Sequence, residues 1–136
     1  MSLPAQPAKR LTVITCMDCR IDPAAVLGFG VGDAHVLRNA GGVVTDDVLR
    51  SLALSQKLLG TREVVVMQHT SCGVNAAEED LRERLGPEPD LRLHGFEDLE
   101  ASVRAGVRRI LDAGYLSDEV RGTIYDIETG ELREVS

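Results

Sequence analysis

Leu11-Thr12-Val13-Ile14-Thr15-Cys16-Met17-Asp18-Cys19-Arg20 is the stretch whose reading decides the fold. Its first five residues are apolar or β-branched, the composition of a buried strand. The run then stops at Cys16, Asp18, Cys19 and Arg20, four polar or reactive side chains within five residues. Such groups at the end of a buried strand are costly without partners. In an open α/β sheet, ligands bind at the carboxyl ends of the strands. The stretch therefore predicts a sheet of that kind and a site on its edge.

Outward from there, strands and helices alternate. The first strand is read over residues 9–15, after a lead-in whose prolines and small residues oppose regular structure. Asp22-Pro23 sets up a short helix to about Gly28, with Asp22 as N-cap and Pro23 at the first helical position. A second strand over 34–38 ends at Asn39-Ala40-Gly41-Gly42. Thr45-Asp46-Asp47 caps an amphipathic helix that runs to about Leu59 and stops at Gly60. Residues 63–68 give the strongest strand signal and lead into His69-Thr70-Ser71-Cys72-Gly73. Helices over 75–85 and 96–113 follow, then a strand over 120–127 and a short return strand over 132–135. The expected class is α/β, a mainly parallel sheet flanked by helices with a C-terminal hairpin edge.

Composition bounds the function classes. The 136 residues carry a formal net charge of −7, which argues against nucleic acid and anionic membrane surfaces as partners. Hydrophobic residues make up 43%, enough for a core, while aromatics at 3% leave that core to Val, Leu, Ile and Ala. No stretch approaches the ~20 apolar residues of a membrane span, and the first ten residues lack the apolar centre of a signal peptide. A cytoplasmic protein is expected. Three cysteines, an odd number, point to metal binding or catalysis rather than a disulfide framework.

Two strand ends carry soft metal ligands: Cys16 after the first strand, His69 and Cys72 after the third. Zn²⁺ takes nitrogen and sulfur ligands, three with an open position in catalytic sites and four in structural ones. Cys16, His69 and Cys72 supply three. Cys19 leaves the alternative open, since Cys16-x-x-Cys19 with His69-x-x-Cys72 also makes a closed structural site. Asp18 and Arg20 favour the catalytic reading. A carboxylate beside a hydrolytic metal can orient its nucleophile, and an arginine can hold that carboxylate in place and ionised.

Cys16-x-Asp18-x-Arg20 followed by His69-x-x-Cys72-Gly73 resembles the β-class carbonic anhydrases. Residues 32–42 resemble that family's second-strand segment, and residues 122–132 its last strand and hairpin. Four motifs in the right order are specific where one would be weak. A glutamine of the plant-type branch is absent near Gly30, so the similarity is to the short prokaryotic branch. The resemblance implies one Zn²⁺ per chain on Cys16, His69 and Cys72, with Asp18 and Arg20 as a catalytic dyad. It implies reversible hydration of CO2 to bicarbonate and a proton by a zinc-bound hydroxide that the dyad orients. In some members the aspartate itself takes the fourth position and shuts the enzyme off. It also implies a homodimer or a multiple of dimers, with the site near the subunit boundary. Two thiolates donate more charge than imidazoles, so activity favouring alkaline pH is expected. The alternatives are hydrolysis of COS or CS2 on the same site, or a non-catalytic zinc-binding domain with Cys19 as fourth ligand. The expected organisation is a lead-in over residues 1–9 and a single zinc-binding α/β domain over 10–136.

Other residues take plainer readings. Glu78-Glu79-Asp80 reads as a solvated helix face, and Arg38 and Asn39 as strand-end hydrogen bonders. His35 and His94 read as surface or satisfied histidines, Gly41-Gly42 as a turn first and a pocket wall second. Cys19 reads as a small, partly buried thiol. Gly28-Phe29-Gly30-Val31-Gly32 precedes a strand rather than a helix and so is not a nucleotide loop.

Overall fold

The computed structural model describes residues 2–136. Five strands form one sheet: β1 (Leu11–Cys16), β2 (Ala34–Asn39), β3 (Glu63–His69), β4 (Val120–Tyr125) and β5 (Leu132–Val135), in the order β2-β1-β3-β4-β5. All pairs are parallel except β4 with β5, which form the antiparallel hairpin edge. The register sets Cys16 opposite Asn39, Thr15 opposite Met67 and His69 opposite Tyr125. The carboxyl ends of β1, β2 and β3 therefore share one edge, which carries Cys16 and His69. The expected class, a mainly parallel sheet with a hairpin edge, is what the chain adopts.

Successive side chains of a strand face opposite ways, and β3 uses both faces. Val64 and Val66 join Ile14, Leu52, Val103 and Ile110 in the larger core, beneath α2 (Asp46–Lys57) and α4 (Leu99–Asp112). Val65 and Met67 join Ile21 in a smaller core against α1 (Pro23–Leu27). A continuous run of valines is what a strand covered on both faces requires. No helix among the described residues is long and apolar enough to cross a membrane.

The caps follow the sequence. The Asp22 carboxylate accepts from the Ala25 amide and Gly28 closes α1 in the left-handed region. Thr45 caps α2 through the Val48 amide and Asp98 caps α4 through the Ala101 amide. Several boundaries differ from expectation. β1 starts at Leu11 rather than residue 9, because Arg10 is left-handed (φ 52°) and breaks the extended chain. β3 runs one residue further and includes His69. α3 (Glu78–Leu85) starts three residues after the expected 75, because residues 72–76 are held in turns by the Asn75 amide bonding Cys72 O and the Ala76 amide bonding Val74 O. α2 ends at Lys57, leaving Leu58 70% exposed. α4 starts at Leu99, where Asp98 caps it, so Phe96 lies outside the helix. β4 stops at Tyr125, because Asp126 begins the tight turn by accepting from the Glu128 and Thr129 amides.

Between β2 and α2, a 3-10 turn at Ala40–Gly42 folds back over the end of β1. Gly41 and Gly42 have φ of 88° and 66°. A Cβ on Gly42 would lie 2.9 Å from the Cys16 amide nitrogen, so this close approach admits only glycine.

Candidate metal centre

Three soft donors converge at the carboxyl edge. One ligand atom each from Cys16, His69 and Cys72 lie within 4.8 Å of one another, and the two sulfurs are 3.9 Å apart. Cys16 is delivered by the last residue of β1, His69 by the last residue of β3, and Cys72 by the turn that follows. Ser71 takes a left-handed φ of 55° in that turn, an uncommon conformation for a residue with a side chain.

The state of His69 follows from its bonds. Its ring is fully buried, and Nδ1 lies 2.7 Å from the Thr70 carbonyl oxygen. A carbonyl only accepts, so Nδ1 carries the hydrogen and donates it. Nε2 then holds a free lone pair, and this buried atom has no protein partner. An imidazole fixed by one nitrogen and open at the other is how proteins present histidine to a metal. The Cys16 sulfur accepts from the Gly41 amide at 3.3 Å. Burial pushes the Cys72 thiol above its ordinary value, with the neighbouring Cys16 sulfur acting in the same direction. The donor set fits a zinc-like dication, which takes cysteine as thiolate and histidine as neutral imidazole.

Beside these donors lies an ion pair. Arg20 grips Asp18 with two parallel bonds, Nε to Oδ1 at 2.9 Å and Nη2 to Oδ2 at 2.6 Å. The Arg20 backbone amide adds a third to Oδ1 at 2.8 Å, and Nη2 also donates to the Ser71 carbonyl at 2.8 Å. The Arg20 guanidinium holds the Asp18 carboxyl well below the usual carboxylate range, against a smaller opposing effect of burial. Asp18 Oδ2 is 3.6 Å from His69 Nε2, so the carboxylate faces the donors. A cavity of about 390 Å³ opens here between Cys16, Asp18, Arg20, Cys72 and Val74. A second, of the same size, shares Gly73 and Val74 with it and continues along Ala40, Leu81, Leu85 and Leu93.

All five residues expected at the site are thus brought together. Cys19 lines the same cavity but lies outside the group of converging donors. It is exposed, against the expectation of a partly buried thiol, because it lies in the surface turn after β1. His35 is satisfied, with Nδ1 2.6 Å from the Ser55 hydroxyl at the other end of the sheet. Glu78 is not a solvated face. Its carboxylate accepts from the Leu93 and Gly95 amides at 2.7 Å each, and these bonds lower its pKa. That brace carries the 86–97 connection toward the site, where the Phe96 ring fills the space a Cβ on Gly41 would need. The backbone contributions of Gly41, Thr70 and Ser71 carry no side-chain signature and were legible only in three dimensions.

Comparison with known proteins gives a consistent picture. The family model for carbonic anhydrase matches residues 11–105. Beta-carbonic anhydrase 1 of Mycobacterium tuberculosis is 41% identical over 141 residues, covering 98% of this chain and 86% of that protein. A carbon disulfide hydrolase of Acidithiobacillus thiooxidans is 34% identical over 152 residues, covering 92% of this chain and 76% of that protein. Among solved structures, a carbonic anhydrase from Streptococcus mutans superposes with a TM-score of 0.89 at 42% identity, over 100% of this chain and 87% of that one.

Proposed function

The chain belongs to the carbonic anhydrase family, in its β class, and on that premise we propose that it is a zinc enzyme interconverting CO2 and bicarbonate. The observation that carries the reading is the convergence of Cys16, His69 and Cys72 around an unpartnered, buried Nε2. These three residues would hold the zinc, and Cys19, exposed and outside the group, would not. When bound, zinc supplies the Lewis acidity that makes water a nucleophile near neutral pH.

The remaining work falls to the chain's own residues. Asp18 stays ionised because Arg20 holds it so, and as an acceptor-only group it can accept a hydrogen bond from the reacting water and fix its orientation. Arg20 keeps the carboxylate on its own side of the site through two parallel bonds and is itself anchored on Ser71. The apolar walls at Val74, Leu81 and Leu93 suit an uncharged, non-polar triatomic substrate. Two anionic sulfur ligands lower the effective charge of the metal, so activity should rise toward alkaline pH.

Zinc analysis of the purified protein with a CO2 hydration assay from pH 6 to 9 tests the reading. One zinc per chain and turnover that grows with pH are expected. Protein without zinc, or zinc protein inert across that range, overturns it. The similarity to carbon disulfide hydrolases supports hydrolysis of CS2 or COS as a second reading. Parallel assays of the three substrates separate the two. We also infer a homodimer in the cytoplasm. The exposed apolar side chains near the cavities, Met17 at 60% and Leu85 at 49%, support association there. Sedimentation equilibrium checks the mass.

A further inference from the structure

We propose that Arg38 is a positioning residue that sets the loop carrying Asp18 and Arg20. It stands at the carboxyl end of the edge strand β2, opposite Thr15 of β1. Its guanidinium reaches three carbonyl oxygens of the 16–21 segment. Nε donates to Cys16 O at 2.9 Å, and Nη2 donates to Asp18 O at 2.8 Å and to Ile21 O at 3.2 Å. Among the described residues, no other side chain donates to a carbonyl of this segment.

The segment needs such a tie. Strand pairing with β2 ends at Cys16, after which the segment's backbone-to-backbone bonds are Met17 to Asn39 O at 2.8 Å and the Ile21 to Asp18 turn bond at 3.2 Å. Arg20 orients the Asp18 carboxylate and reaches out of the loop through Nη2 to the Ser71 carbonyl at 2.8 Å, but Ser71 lies in another turn rather than in a strand, so this bond ties loop to loop and not loop to sheet. Arg38 ties the loop to the sheet, because its planar fork offers several donors in fixed directions from a rigid strand. It spans the backbone from the ligand Cys16, through Asp18, to Ile21 in the smaller core. Groups behind a metal ligand commonly change affinity or activity about 10–100-fold when removed.

This role rests on the functional reading above only for its kinetic consequence, and the test separates the two. Amide hydrogen exchange of the purified protein should rise about tenfold or more over residues 17–21 in Arg38→Met, while the central residues of β1 and β3 keep their protection. In the CO2 assay, kcat should fall about tenfold with KM within twofold of wild type. Arg38→Lys keeps the charge but not the fork, and should recover part of both effects. Unchanged exchange over 17–21, or an equal rise across the sheet, overturns the proposal. So does full recovery by lysine, which would make charge alone sufficient. If Arg38→Met does not fold, exchange in Arg38→Lys decides, with wild-type protection again overturning it. An inert wild type would sink the functional reading and leave the exchange result standing.

Discussion

Each end of the parallel sheet holds a histidine among polar side chains, half-buried His35 at one and buried His69 at the other, and the two ends are finished differently. At the amino end, Ser55 Oγ lies 2.6 Å from His35 Nδ1, 2.6 Å from Thr61 Oγ1 and 2.8 Å from Thr12 Oγ1. The hydroxyls and the ring satisfy one another, and a closed network of that kind holds α2 to β1 and β2. At the carboxyl end, His69 Nε2 has no partner and two thiols face the same space. Buried polar atoms are nearly always paired. A fold that closes one cluster and leaves the other with convergent free donors has reserved the second for a ligand. Thr15 Oγ1, Gln56 Nε2 and Gln68 Oε1 are also buried without a partner, so what marks the site is the convergence of two thiols on the unpaired His69 Nε2.

The sharpest way to break this contrast is to remove a donor at the open end. Cys16→Ser should lower zinc affinity by more than about 100-fold, beyond the usual cost of disturbing a group behind a ligand. CO2 hydration should disappear with it. Metal analysis after dialysis against a chelator reads the effect. Retained zinc would move the site elsewhere and remove the reason for the unpaired Nε2.

A smaller loss is expected from the ion pair. Arg20→Met leaves the three donors intact but frees Asp18 from the two bonds that aim it. Hydration should fall on the order of 100-fold, the usual scale for an oriented polar group in an active site, with zinc content unchanged. Loss of zinc instead would make Arg20 part of the scaffold around the donors.

At the closed end the effect should be thermodynamic only. Ser55→Ala leaves His35 Nδ1 and two threonine hydroxyls short of a partner, costing about 1–3 kcal/mol. Urea unfolding measures that, while zinc content and kcat should hold. A kinetic change would couple the two ends and weaken the division drawn between them.

How much of this was legible beforehand tracks the same division. The alternation of strands and helices was readable because β3 is an unbroken apolar run and α2 carries its caps in sequence. The donors Cys16, His69 and Cys72 were readable because they end strands whose parallel arrangement sets them on one edge. Glu78 was misread because a helix of mixed charge looks solvated, and only the return of the 86–97 segment supplies the two amides it accepts. Arg38 looked like an ordinary strand terminus for the same reason: its three acceptors are carbonyls, which every residue has. Side chains that bond to distant backbone leave no pattern in composition or spacing.

The Glu78 brace gives a pH-dependent prediction smaller than those above. Its two amide bonds lower the carboxyl pKa in the folded chain. The brace therefore contributes stability at pH values above the ordinary glutamate pKa of about 4.3, and loses it as pH falls through the lowered folded value. Glu78→Gln lacks that ionisation. The urea midpoints of the two proteins should differ at neutral pH and converge under acid conditions. Parallel curves down to low pH would mean that the carboxylate is not what holds the 86–97 connection near the open end.

The smallest expected effect belongs to Cys19 and bears most directly on whether the open end is open. Serine keeps the size and polarity of an exposed thiol while removing a zinc-binding sulfur. Because Cys19 lies in the surface turn outside the Cys16, His69 and Cys72 group, Cys19→Ser should leave zinc per chain, unfolding midpoint and hydration rate at wild-type values. A site closed by a fourth sulfur could not behave so. Its zinc would be released by the substitution, and its folding would depend on that release. Full retention after Cys19→Ser, set beside full loss after Cys16→Ser, is the pattern of a site that counts Cys16 among its donors and excludes Cys19, leaving the fourth position to water or Asp18.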